Sequence, residues 1–128
     1  MSDPLKILYV DDEDDIREIA VMALEFDSEL SVRSCDCGSK ALTIAGDWLP
    51  DLILLDVMMP DMDGPETLER LRRAEETASI PVVFTTARTQ PEDLARFMGL
   101  GAAGVISKPF DPMSLAEQAR DLWARSRS

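Results

Sequence analysis

Short apolar runs and amphipathic stretches alternate along the whole chain. Leu5-Lys6-Ile7-Leu8-Tyr9-Val10 is apolar until it stops at acids, and it reads as a buried strand. From Asp14 to Phe26 the apolar residues Ile16, Ile19, Ala20 and Ala23 fall at the spacing of one helix face. Ser31 to Cys35 is a weaker strand. After Gly38 the helical spacing returns in Ala41, Ile44, Ala45 and Trp48, and Pro50 ends it. Leu52-Ile53-Leu54-Leu55 is short and wholly apolar, which fits a central strand. Pro65, at a first helical turn, opens a segment with Leu68 and Leu71 on one face. Ile80 to Thr85 follows as a strand, then Pro91 to Met98 as a helix with Leu94, Phe97 and Met98 inward. Val105 to Ser107 is a last short strand. Pro112 opens a final helix that turns Leu115, Ala119, Leu122 and Trp123 to the interior.

These are five strand-then-helix repeats. Strands apolar on both faces, separated by amphipathic helices, imply a parallel sheet covered on both sides. Right-handed crossovers then give an α/β, doubly wound, five-stranded parallel sheet with strand order 2-1-3-4-5. No linker or low-complexity tract interrupts residues 1–128, so one domain is expected over that range. The polar tail Arg125-Ser126-Arg127-Ser128 reads equally as a natural end or a cut linker.

Charge narrows the function. The 25 acidic residues against 13 Lys and Arg leave a net charge of −12, which disfavours direct contact with nucleic acid or an anionic membrane. It suits a cation such as Mg²⁺ or a basic partner. Histidine is absent, which removes Ser-His-Asp and Cys-His nucleophile pairs, His-ligated zinc and any phospho-histidine on the chain itself. Cys35 and Cys37 are too close for an easy disulfide and match no zinc spacing, so both read as reduced, strand-end cysteines. With no signal peptide and no apolar run of membrane-spanning length, a cytoplasmic protein is expected.

In an open α/β sheet, ligands gather beyond the carboxyl ends of the strands. The residues there are Asp11 and Asp12 after the first strand, Asp56 after the third, Thr86 near the end of the fourth and Lys108 after the fifth. Acids at a helix N-terminus complement its dipole, and that alone accounts for Asp14 and Asp15. Asp11 and Asp12 directly follow a buried strand, and an EF-hand fails for want of its glycine and distal Glu. Carboxylates crowded at one rim repel one another, and Mg²⁺ relieves this with a few carboxylates, a backbone carbonyl and retained waters. Asp56 can act as a nucleophile towards phosphorus, with a divalent cation neutralising the phosphoryl oxygens. Thr86 can donate a hydrogen bond to such a group, and Lys108 can pair with it as a point charge. Gly99-x-Gly101-x-x-Gly104 matches the dinucleotide fingerprint as a string, but it leads from a helix into a strand and reads as a helix stop and turn. Met58, Met59 and Met62 are expected to pack or line the loop after the third strand.

With these residues in place, the chain resembles the receiver domain of two-component response regulators, the CheY-like family, over nearly its whole length. The matching strings are Val10-Asp11-Asp12-Glu13 and Asp56-Val57-Met58-Met59-Pro60-Asp61-Met62-Asp63-Gly64. They continue with Pro81-Val82-Val83-Phe84-Thr85-Thr86-Ala87, Gly101-Ala102 and Lys108-Pro109-Phe110-Asp111. The resemblance implies a (βα)5 flavodoxin-like fold. It makes Asp56 the phosphoacceptor for a phospho-histidine on a histidine kinase or phosphotransfer protein. Asp12 would ligate Mg²⁺ directly and Asp11 through water, beside Asp56 and the Met58 backbone carbonyl, with Mn²⁺ able to substitute. Thr86 and Lys108 would hold the phosphoryl group, and the Lys108–Pro109 bond would be cis.

The resemblance also implies a switch that regulates a downstream protein, as a monomer or a phosphorylation-dependent dimer, rather than an enzyme. One position departs from the family. Three residues before the lysine, where Tyr or Phe is usual, stands Val105. Signalling is therefore expected to rest on a Thr86-led shift of the loop and helix after the fourth strand. Arg88 is expected to face the site. A Mg²⁺-dependent phosphohydrolase with an aspartate nucleophile fits poorly, since that group places Asp-x-Asp after the first strand and usually adds a cap domain. An FMN carrier would need a phosphate-cradling loop where this chain has acids. Numbering from Met1 and a short tail favour a stand-alone regulator over a receiver excised from a longer protein with a DNA-binding or enzymatic output domain.

Overall fold

The computed structural model describes residues 3–127. Met1, Ser2 and Ser128, which the expected 1–128 domain includes, lie outside the described residues. The elements run β1 (Leu5–Val10), α1 (Asp14–Glu25), β2 (Leu30–Cys35), α2 (Gly38–Trp48), β3 (Leu52–Asp56), α3 (Gly64–Arg73), β4 (Val82–Thr86), α4 (Pro91–Gly99), β5 (Gly104–Ser107) and α5 (Leu115–Ser126). The strands form one parallel sheet in the order β2-β1-β3-β4-β5, as the alternation predicts. Every residue of β3 and β4 is buried, because helices cover both faces of these strands.

Two cores result, one on each side of the sheet. Leu8, Val10, Ile53, Leu55, Val82 and Phe84 point one way, towards Ala41, Ala45, Leu68, Leu71 and Phe97 of α2, α3 and α4. Ile7, Tyr9, Leu52, Leu54, Val83 and Ile106 point the other way, towards Ala20, Leu24, Leu115 and Ala119 of α1 and α5. The period-two alternation of the strands assigns these faces. The parallel register aligns the strand ends: Val10 pairs with Leu55, Asp56 with Thr85 and Thr86 with Ser107.

The structure corrects several details. Ile19 and Met98, expected inward, are 45% and 51% exposed. Each sits about 100° round its helix from a neighbour that takes the core position, Ala20 or Phe97. Leu24, by contrast, is fully buried. The last helix starts at Leu115 rather than Pro112, because Asp111 folds the chain into a turn. Its carboxylate accepts from Met113 N at 2.9 Å and its carbonyl from Ser114 N at 3.0 Å. β4 starts at Val82, since Pro81 has no N–H to give the ladder, and it continues through Thr86. Arg125 and Ser126, read as tail, belong to α5. Among the described residues no helix is long and apolar enough to cross a membrane.

Candidate functional site

The carboxyl ends of β1, β3, β4 and β5 converge on one rim, where β1 delivers two of the residues singled out above and the other three strands one each. Asp11 follows β1 and is fully buried. Both of its carboxylate oxygens are engaged. Oδ1 accepts from Glu13 N at 3.0 Å, while Oδ2 accepts from the Tyr9 hydroxyl at 3.1 Å and lies 2.8 Å from Lys108 Nζ. Its carbonyl accepts from Arg17 Nη1 at 2.8 Å, which ties α1 to the rim.

Asp56 ends β3 and is 4% exposed. Its Oδ1 lies 3.3 Å from Lys108 Nζ, so one ammonium bridges two carboxylates. Burial raises the Asp56 carboxyl to about 6; Lys108 opposes this, the Asp11 charge adds to it, and a hydrogen bond from the Met58 backbone N–H lowers it. Burial works against the charge on Lys108, but its bonds to Asp11 and the two carboxylate charges more than offset that, and the ammonium is held above its ordinary value. Asp12 is partly open to solvent. Asp11, Asp12 and Asp56 each offer an oxygen, and the three oxygens lie within 4.8 Å of one another. Hard carboxylate oxygens at this spacing fit Mg²⁺ or Mn²⁺, with waters completing the shell.

The loop after β3 is drawn onto the strand end. Gly64 donates to Val57 O at 2.9 Å, and a Cβ on it would lie 2.5 Å from Asp56 O, so only glycine fits without backbone movement. Asp61 takes a left-handed conformation with φ 67°, and the Asp63 carboxylate caps α3 through Glu66 N at 2.9 Å. The methionines divide their work. Met59 is buried in the core, Met62 lies against Gly38 at the start of α2, and the Met58 side chain is exposed.

Thr86 is buried at the end of β4, and its Oγ1 accepts from Arg88 N at 2.9 Å. The Arg88 side chain is exposed; its backbone N–H is what touches the site's threonine. Lys108 leaves β5 through a cis bond to Pro109. Val105, on β5 opposite Phe84, is half-buried against the core under α4, and the ring contact on that face is Phe84 with Phe97 at 5.2 Å between centroids. The glycine string is a helix stop: Gly101 has φ +100° and donates to Met98 O, and Gly104 packs under Leu122.

Sequence reasoning missed Tyr9. The apolar run makes it strand core, yet it lies two residues before Asp11, which puts its hydroxyl within reach of that carboxylate. Burial, and then the Asp11 and Asp56 charges, push its ionisation upward, so the phenol keeps its proton.

The chain as a whole is similar to known proteins. A family model described as the response regulator receiver domain matches residues 7–120. The response regulator Rre1 of Synechocystis sp. is 36% identical over 128 residues, covering 100% of this chain and 55% of the relative. The phosphate regulon transcriptional regulatory protein PhoB of Escherichia coli is 38% identical over 120 residues, covering 94% of this chain and 52% of its own length. The chain thus spans about half the length of the curated relatives it matches. Among solved structures, the chemotaxis response regulator CheY4 of Vibrio cholerae superposes with a TM-score of 0.85 at 31% identity, covering 93% of this chain and 98% of that one.

Proposed function

This chain belongs to the response regulator receiver family, and from that premise we propose that Asp56 is the phosphoacceptor of a two-component phosphorelay. One observation carries the reading: the Asp56 carboxylate lies 3.3 Å from Lys108 Nζ and within 4.8 Å of oxygens of Asp11 and Asp12. A carboxylate so placed is shielded from bulk water yet faces both a fixed cation and a divalent-cation site.

The reaction moves a phosphoryl group from a phospho-histidine of a kinase or phosphotransfer protein. An Asp56 oxygen bonds to phosphorus as the P–N bond breaks; the imidazole leaves with that electron pair and takes a proton from solvent. Asp11, Asp12 and Asp56, with the Met58 carbonyl, would hold Mg²⁺, which when bound neutralises phosphoryl oxygens. Lys108 turns from the carboxylates to a phosphoryl oxygen. Thr86 donates a hydrogen bond from its hydroxyl to another, the bond from Arg88 N to Oγ1 aiming the hydroxyl meanwhile.

That movement at the end of β4 is the switch. It passes to the loop and α4 and changes affinity for a downstream protein. The proposal is of a cytoplasmic signalling protein without substrate turnover. It acts as a monomer or a phosphorylation-dependent dimer, with no direct contact to nucleic acid. Both a free-standing regulator and the receiver half of a longer one accommodate this role, and the mass of the endogenous protein separates the two.

The deciding experiment is intact mass after incubation with Mg²⁺ and a small acyl phosphate. Wild type should gain one phosphoryl group, and Asp56→Asn and EDTA-treated wild type none. Equal labelling of Asp56→Asn would overturn the assignment.

A further inference from the structure

Asp11 Oδ2 accepts two donors at once, and they come from opposite directions in the chain. One is Lys108 Nζ at 2.8 Å, which it shares with Asp56 at 3.3 Å. The other is the hydroxyl of Tyr9 at 3.1 Å. Asp11 is fully buried, and so is Tyr9, whose ring meets Phe110 edge-on at 6.5 Å between centroids. Phe110 stands two residues after Lys108, so the ring is gripped by the segment that carries the lysine.

A buried carboxylate oxygen that loses its donor costs the full desolvation of a charged group. The function proposed above requires Lys108 to leave Asp11 and Asp56 for a phosphoryl oxygen. Were Lys108 the sole donor to Oδ2, that move would leave a buried oxygen with no donor from the protein, and the lysine would be held back. The phenol removes this obstacle, because its bond to Oδ2 does not depend on Lys108. Glu13 N meanwhile holds Oδ1 at 3.0 Å, so the carboxylate cannot swing after the departing ammonium.

We propose that Tyr9 is a positioning residue of the phosphorylation site, the standing partner of Asp11 that frees Lys108 to follow the phosphoryl group. Tyr9 acts through Asp11 and Lys108 and touches no reacting atom. The inference rests on the phosphoacceptor reading.

Tyr9→Phe tests it, since it keeps the ring and its Phe110 contact and deletes one oxygen. With saturating Mg²⁺ and an acyl phosphate, labelling of the variant should be about two- to tenfold slower than wild type, the worth of one hydrogen bond. A stability cycle with Lys108→Ala supplies a readout that ring packing alone would not move. Where Lys108 is gone, Tyr9 is the one remaining side-chain donor to Oδ2 among the described residues. Tyr9→Phe should therefore shift the unfolding equilibrium about tenfold further in the Lys108→Ala background than in wild type. Additive losses, or a variant labelled at the wild-type rate beside a labelled wild type, would overturn this inference alone. A wild type that takes no label would overturn the phosphoacceptor reading and this inference with it.

Discussion

At the scale of the residue, Asp56 is held in tension. Burial raises its carboxyl to about 6 from the ordinary 3.8, while Lys108 pulls the other way. Between pH 3.8 and about 6 the folded chain therefore keeps a proton there that the unfolded chain has released. The contribution to stability is full below pH 3.8 and is lost as the pH rises through about 6. Metal-free Asp56→Asn should accordingly be more stable than wild type at pH 7, by up to about 3 kcal/mol. The gap should close towards pH 4 in urea titrations of the two proteins, and a gap that widened on acidification would contradict the burial argument. Glycines give a second contrast. A methyl on Gly64 meets the Asp56 backbone, whereas one on Gly104 meets the movable end of the Leu122 side chain. Gly64→Ala should cost more stability than Gly104→Ala in the same titrations, and should also slow labelling at Asp56.

At the scale of the element, the consequence of Val105 becomes specific. The rings that connect β4 to α4 are Phe84 and Phe97, both fully buried, so under the proposed switch a displacement of β4 would reach the helix through this aromatic pair. Phosphorylation should alter hydrogen-exchange protection from Thr86 through Ser107. Changes confined to the residues around Asp56 would refute a Thr86-led shift. Phe97→Ala should destabilise by about 3–5 kcal/mol through the cavity it leaves, measured by chemical unfolding. Elements are also where the limits of sequence reading lie. The strand order and the two-sided burial of β3 were legible because parallel strands carry no polar face. The positions of Asp11, Asp56, Thr86 and Lys108 were legible because each follows an apolar run. Ile19 and Met98 were misplaced because apolar spacing gives a helix face only to within one residue. The start of α5 was misplaced because Pro112 serves a turn built by Asp111 as readily as a first helical position. Tyr9 escaped because an apolar ring hides a polar tip, and only the partner two residues on discloses it.

At the scale of the whole molecule, the net charge is −12, and three of the carboxylates share one rim with a single lysine. Monovalent salt should stabilise the fold by screening the general repulsion. Mg²⁺ at the same ionic strength should add a further rise in Tm that saturates, since a ligand that binds only the folded state stabilises by mass action. Asp12→Asn and Asp56→Asn should keep the salt effect and lose most of the Mg²⁺ increment in thermal melts. An increment unchanged in both variants would place the cation elsewhere.

The two tryptophans and the tyrosine are divided between the two ends of the sheet. Trp48 closes α2 near Lys6, with Lys6 and Arg33 over its ring, and Trp123 borders the groove formed with Pro50 and Pro81, ahead of β3 and β4. Both indoles therefore sit at the end where strands begin, while the lone tyrosine sits where they finish. The protein separates two optical signals by construction. Indole emission should follow loss of the fold. A fluorine placed on the single phenol would give one resonance, seated beside Asp11, that reports events at the rim in an otherwise silent spectrum.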